Sequence, residues 1–324
     1  MFTRRQLLAA SAAGTALAFA SAHAQVAGAA KILVGFPPGG GSDVIARSVA
    51  EPMKGSYAST VIIENKPGAA ARIAAEAVKA AAPDGMTMLL TPASVLTLYP
   101  HVYKELRYDP FKDFTPVTAV SSTQLAMYAG PAVPQNITTL PDLVQWLKAN
   151  PKLSSFASPA LGSSPHLAGL MFAKLVGADV LPVAYQGSAP AVVALLSGEV
   201  ALGFGSISDG IEHFRAGKLR LIATTGQKRS AHVPNAPTFA ELGFSELVIE
   251  DWHSILLPGK APAAVVNRLN EAVRASVQSS QVQATLNRFA FEPVANTPAE
   301  FAAILRTEFD RWSRIVKVLN FSME

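Results

Sequence analysis

The residues that could do chemistry are few, and most of them sit in loops of small side chains. Ser163 and His166 stand three apart, a spacing that lets a hydroxyl approach an imidazole as nucleophile and base. Ser42 is a second candidate hydroxyl. No third, orienting residue can be assigned to either, and no Gly-x-Ser-x-Gly elbow occurs. The six histidines (23, 101, 166, 213, 232 and 253) include no pair three or four apart that could hold a metal on one helix face. With no cysteine, disulfides, thiolate metal sites, a Cys nucleophile and a lipoprotein anchor are excluded. Gly39-Gly40-Gly41 is not followed by the Lys-Ser/Thr pair of a phosphate loop, and the Gly-x-Gly-x-x-Gly spacing is missing. Neither a metal nor a cofactor is expected. Asp209 and Glu212, near His213 and Arg215, read as a solvated helix face. Glu250-Asp251 could imitate a catalytic carboxylate pair, but neighbours in an extended segment point opposite ways. Binding fits these residues better than turnover.

Half of the 324 residues are hydrophobic and 15% are charged, enough for two domains with sizeable cores. The one long charge-free apolar run, Leu7 to Ala22, follows Arg4 and Arg5 and ends in Ala22-His23-Ala24. That is an export leader with a small-x-small cleavage site, and Thr3-Arg4-Arg5-Gln6-Leu7-Leu8 resembles a twin-arginine signal. Residues 1–24 are therefore expected to be removed. Cleavage leaves 300 residues and, with both leader arginines gone, lowers the net charge from +4 to +2. So small a charge, with no basic run among aromatics, gives no case for nucleic acid. The expected compartment is the bacterial periplasm.

Lys31–Phe36, Thr60–Glu64 and Met86–Thr91 read as strands, with helices from Val44 and from about Ala70 to Ala82 between them. Ser42 or Asp43 is expected to cap the first helix. A second series follows. Its strands lie near Leu153–Ala157, Leu181–Tyr185, Val200–Phe204 and Leu219–Thr225. Its helices open at Thr139-Leu140-Pro141-Asp142 and lie near His166–Val176, Pro190–Ser197 and Ile211–Ala216. Strands alternating with helices imply parallel pairing through right-handed crossovers. The C-terminal part reads as helix, with Pro262 in one first turn, a capping box at Thr297-Pro298-Ala299-Glu300, and a core stripe from Phe301 to Leu319.

In open α/β sheets ligands bind beyond the carboxyl ends of strands. Five loops meet that rule, and the candidate contacts fall in them. They are Phe36, Pro38, Gly39, Gly41, Ser42 and Asp43 in the first loop, and Ser94 in the second. Gly162, Ser163, Ser164 and His166 follow in the third, Gly187, Ser188 and Ala189 in the fourth, and Gly205 and Ser206 in the fifth. Loops so small and uncharged bring backbone N–H groups to a ligand. Each bond to an ionised carboxylate contributes roughly 1.5–3 kcal/mol, so a few could reach the ~8 kcal/mol of a micromolar complex. No buried arginine is needed.

The stretch Gly35-Phe36-Pro37-Pro38-Gly39-Gly40-Gly41-Ser42-Asp43 resembles the opening motif of the Bug family, the extracytoplasmic receptors of tripartite tricarboxylate transporters. Further matches come in the family's order: Val61 to Ala69, Ala81 to Gly85, Tyr108 to Phe114, Ser164 to Gly169, Tyr185 to Ala191, Ala216 to Arg220, Pro234 to Glu241, and Trp252. The resemblance spans essentially the whole mature chain. It implies an α/β Venus-flytrap (periplasmic-binding-protein) fold of two lobes, each a mostly parallel sheet flanked by helices. It also implies a ligand carboxylate held by backbone amides and ordered waters. Phe36, Gly41 and Asp43 carry over as the first loop, Ser163, Ser164 and His166 as the facing loop, and Ser188-Ala189-Pro190 as its neighbour. Many relatives carry an Asp-Asn or similar polar pair where this chain has Gly205-Ser206. A carboxylate there could meet an ammonium, and its loss argues against an amino-acid ligand.

The expected protein is a monomeric periplasmic receptor that captures a small organic acid for a tripartite tricarboxylate-type transporter. Residues 25–122 and 227–324 are expected to form one lobe and 123–226 the other, hinged near Val120–Met127 and Thr224–Gln227. Two alternatives stay open: a secreted serine hydrolase, and a ligand sensor that serves a signalling partner without transport.

Overall fold

The computed structural model describes residues 28–323, so the expected leader lies outside the described residues. The chain enters through β1 (Ala29–Val34), whose Ile32, Leu33 and Val34 are buried. Next come α1 (Gly41–Met53), β2 (Thr60–Asn65), α2 (Arg72–Lys79) and β3 (Thr87–Pro92). The helix expected from Ala70 starts instead at Arg72, because Ala69, Ala70 and Ala71 take φ of 47°, 53° and 71°. Such values are unfavourable for a residue with a Cβ. They bring Ala71 against Gly35, where an added Cβ would stand 2.2 Å from that of Ala71. Two single-turn helices, α3 (Ser94–Thr97) and α4 (Tyr99–Val102), precede the long β4 (Phe114–Ala129).

The second series comprises α5 (Leu140–Ala149), β5 (Ser155–Ser158), α6 (Ser164–Val176), β6 (Leu181–Ala184), α7 (Ser188–Ser197), β7 (Leu202–Ser206), α8 (Ile207–Arg215) and β8 (Arg220–Thr224). Thr139 Oγ1 caps α5, accepting from Asp142 N at 3.3 Å. β9 (Glu250–Pro258), α9 (Ala263–Gln278), α10 (Ser280–Arg288), β10 (Glu292–Pro293) and α11 (Pro298–Leu319) complete the chain. The capping box of α11 closes both ways: Glu300 N donates to Thr297 Oγ1, and Thr297 N to Glu300 Oε2.

The strands run in the order β2-β1-β3-β9-β4-β7-β5-β6, with β8 and β10 also on β4. Pairs β1–β2, β1–β3, β5–β6 and β5–β7 are parallel, as alternating strands and helices require. Around β4 every pairing is antiparallel. β4 belongs to both lobes: it pairs with β9 as far as Gln124 and with β7 from Leu125 on. The fold is thus α/β with two lobes sharing one strand.

Three cores hold this arrangement. α1, α9 and α10 cover one face of the first lobe, where Ile45, Val49 and Met53 join Leu269, Val273 and Leu286. α7 and α8 cover one face of the second through Ala191, Leu195 and Ile211. The largest core joins Leu96, Tyr99 and Trp252 to Phe156, Phe172 and Phe204, and α11 roofs it with Phe301, Leu305 and Trp312. Phe301 meets Trp252 edge-on at 5.3 Å. After β8 the chain stays on the second lobe: Phe239 N donates to Thr224 O at 2.8 Å, and its ring lies 6.0 Å from that of Phe172. β9 carries it back.

Candidate ligand site

Parallel strands put their carboxyl ends on one side, and there a cavity of about 60 Å³ opens between the lobes. Four helices begin at its wall: Gly40 and Gly41 open α1, Ser163 precedes α6, Gly187 and Ser188 open α7, and Ser206 precedes α8. Each helix start presents unpaired N–H groups and roughly half a positive charge. No lysine or arginine lines the cavity.

Two of the four starts are satisfied internally. In α6, Ser164 N donates to Ser94 Oγ and His166 N to Ser163 Oγ. At α8, Ser206 N donates to Asp209 Oδ2 at 2.9 Å. The other two have no side-chain cap. The N–H groups of Gly41 and Ser42, and of Ser188 and Ala189, find no acceptor among the described residues. These two free helix starts come from opposite lobes.

Of the sequence-derived candidates, Phe36, Gly41, Ser42, Ser94, Ser163, Gly187, Ser188, Ala189 and Ser206 reach the cavity. The others do not. Pro38 and Gly39 form the exposed crest of the first loop. Asp43 does not cap α1, whose N-cap is Gly40. Its carboxylate sits behind the loop, accepting from Gly39 N (3.0 Å), Arg47 Nε (2.9 Å) and Asn65 Nδ2 (3.0 Å). Burial alone would raise its pKa, but these hydrogen bonds from Arg47, Gly39 and Asn65 hold it below the ordinary carboxylate range. Gly162, at φ 71°, packs against Val102 and Met323. Ser164 Oγ meets Ser94 Oγ at 3.0 Å beneath the wall. His166 is 2% exposed and turns its Nδ1 to Ser158 Oγ at 3.0 Å; burial holds its pKa near 4, so the ring is neutral.

The Ser163–His166 pairing expected of a nucleophile and base is absent, since Ser163 Oγ donates to Ala160 O at 2.7 Å. Ser42 does meet a histidine, with Oγ 3.0 Å from His253 Nε2. Nothing orients that ring from its other side, because His253 Nδ1 is a buried atom without a partner. Burial also keeps this imidazole neutral, with a pKa of about 4.

The sequence reading misses one side of the wall. Asp251, His253, Tyr99, Phe291, Ser208 and Asp209 all line the cavity. Asp251 and His253 stand two apart on β9 and so share a face, a signal available only once that segment is known to be a strand. The helix-face reading of Asp209 and Glu212 is half right. Glu212 pairs with Arg215 at 2.9 Å in solvent, but Asp209 turns inward. An added Cβ on Gly205 would stand 2.5 Å from Asp209 Oδ2, so this carboxylate fills the space left by the missing side chain. Burial raises Asp209 to about 6 against hydrogen bonds from Ser188 and Ser206. It raises Asp251 to about 7 against those from the Trp252 and Ala93 N–H groups.

A family model described as the tripartite tricarboxylate transporter family receptor matches residues 45–321. Protein BugT of Bordetella pertussis is 33% identical over 288 residues, covering 89% of this chain and 88% of its own. The solved structure of the periplasmic binding protein BugD superposes with a TM-score of 0.84 at 28% identity, covering 91% of this chain and 98% of that one. Rpa4515 of R. palustris, solved with adipate, gives 0.85 at 28% identity, with 90% and 97% covered.

Proposed function

Because this chain belongs to the receptor family of the tripartite tricarboxylate transporters, we propose that it closes on a small organic acid outside the cytoplasm and delivers it to a membrane transporter of that type. Members of the family are solute-binding receptors, not enzymes. The observation that carries the ligand class is the meeting of two uncapped helix starts, α1 and α7, from opposite lobes, in a cavity without a basic side chain. Backbone N–H groups at helix starts bind carboxylates well. A ligand gripped by both lobes favours the closed state over the open one. Adipate, the ligand of Rpa4515, is a carboxylate of the expected size.

In this reading Gly41, Ser42, Ser188 and Ala189 hold the carboxylate, while Phe36 and Phe291 flank its carbon chain. The hinge lies where β4 changes partner, at Gln124–Leu125, and where the chain returns at Ile249–Glu250. Thr225 joins the two, since Leu125 N donates to its Oγ1 at 2.9 Å and that hydroxyl donates to Ile249 O. This proposed return lies later in the chain than the Thr224–Gln227 expected from sequence. The leader through Ala24 would be removed on export, leaving a monomer. Native mass spectrometry of periplasmic protein, followed by identification of any retained acid and its calorimetric titration, tests the proposal. Recovery of a carboxylic acid that binds one to one supports it. Covalent turnover of that acid, or a mature chain that begins at Met1, counts against it.

A further inference from the structure

We infer that Asp209 and Asp251 form a second subsite for a positively charged amine, so that the ligand is a zwitterionic amino acid rather than a plain dicarboxylate. This rests on the receptor reading above. Asp209 reaches the cavity from the second lobe and Asp251 from the first, and Asp251 is 5% exposed. The two carboxylates repel each other, and no lysine or arginine lines the cavity to offset them. A second ligand carboxylate placed here would add to that repulsion. An ammonium would relieve it.

A buried hydroxyl gives an independent sign of a polar ligand group at this wall. Tyr99 is fully buried in the same wall, and its phenolic oxygen has no hydrogen-bond partner. Native structures seldom leave such a group unpaired without a reason. An ammonium carries three donors, and Asp209, Asp251 and Tyr99 supply three acceptors. Ser208 Oγ is a further buried oxygen without a partner at this wall. The free N–H groups of α1 and α7 remain for the ligand's own carboxylate. The absence of an acid at Gly205 therefore does not argue against an amino-acid ligand, because Asp209 takes up that space.

The test uses the mature chain and pairs of acids differing only in the amine: L-aspartate and succinate, L-glutamate and glutarate, L-phenylalanine and 3-phenylpropionate. Thermal shift at pH 7.5 finds the best pair, and calorimetry measures it. The expected result is that the amino compound binds about tenfold or more tighter than its partner, as for a lost bond to a charged group. Asp209→Asn and Asp251→Asn should each remove that advantage while leaving the plain acid as tight or tighter. Tyr99→Phe deletes only the unpaired hydroxyl and should weaken the amine several-fold without lowering the melting temperature. Equal or tighter binding of the plain acid in every pair overturns the inference and leaves the receptor reading standing. Undiminished amine binding in both asparagine variants also overturns it, as does no binding by any amino compound. If neither series binds, the receptor reading itself is in question.

Discussion

Ser94 and Ser164 join the two lobes beneath the cavity: their hydroxyl oxygens lie 3.0 Å apart, and Ser94 Oγ also accepts from Ser164 N at 3.2 Å. Both residues are buried, so water cannot replace these bonds while the lobes are together. We propose that the pair belongs to the closed form of the receptor, at the base of α6, and breaks when the lobes part. Ser94→Ala leaves the Ser164 N–H unpaired in that form, at a cost of about 1–3 kcal/mol, whereas in an open form water would satisfy it. The variant should therefore populate the open form more. Small-angle scattering without ligand should report a larger radius of gyration than for the unaltered protein. An unchanged radius would mean that this contact does not govern closure.

Asp43 is expected to matter through the loop rather than through the ligand. Its carboxylate is 4% exposed and gathers Gly39 N, Arg47 Nε and Asn65 Nδ2. Asp43→Ala should cost on the order of 2 kcal/mol in urea unfolding, since three donors lose their acceptor. Its folded pKa is depressed, so the stabilisation is present above the unfolded value and is lost as pH falls through the folded one. The gap between the two proteins should shrink below about pH 4. A variant as stable as the unaltered chain would refute this role for the carboxylate.

What could be read in the sequence follows from what leaves a local trace. The short strands alternate with helices, so β1 to β3 and β5 to β8 stand out, and so do the loops at their carboxyl ends. Those loops give most of the cavity wall. β4 leaves less trace because it is buried on both faces along most of its length, which erases the alternation of a half-buried strand. β9 is buried from Asp251 to Pro258 for the same reason. With β9 unread, Asp251 and His253 could not be placed, and the acidic side of the cavity stayed hidden. The family motifs mark architecture as well as binding. Arg220, the last residue of one motif, donates to the carbonyls of Val133, Pro134 and Ile137 and ties down the loop before α5.

His166 sets one limit on acid stability. Burial holds its pKa near 4, well below the usual 6.5, so the folded protein resists a proton that the unfolded chain accepts. Stability is therefore complete above the unfolded value and falls as pH drops from 6.5 toward 4, by up to about 3 kcal/mol for this residue. His166→Gln keeps a polar group toward Ser158 and cannot take up a proton. Its stability relative to the unaltered protein should rise as pH is lowered from 7 to 4.5, measured by urea unfolding at each pH. A gap that stays constant would place the acid sensitivity elsewhere.

Asp251 acts in the opposite direction. Its folded pKa is raised to about 7 by burial, while the unfolded carboxyl titrates near the ordinary 3.8. Between those values the folded protein keeps a proton that the unfolded chain releases, so rising pH lowers stability. The loss should reach on the order of 4 kcal/mol by pH 8. Asp251→Asn stays neutral throughout and preserves an oxygen that can accept from the Trp252 N–H, which now donates to Asp251 Oδ1 at 2.9 Å. Without ligand, this variant should gain on the unaltered protein as pH rises from 4.5 to 8. The histidine effects are common to both proteins and cancel in the comparison. A bound amine would neutralise the same carboxylate, so saturating ligand should flatten the pH dependence of the unaltered protein and leave that of the variant unmoved. If the two proteins keep a fixed difference in urea midpoint across this range, Asp251 is ionised in the folded state at no cost, and its carboxylate is not held in the strained condition that a cationic ligand would relieve.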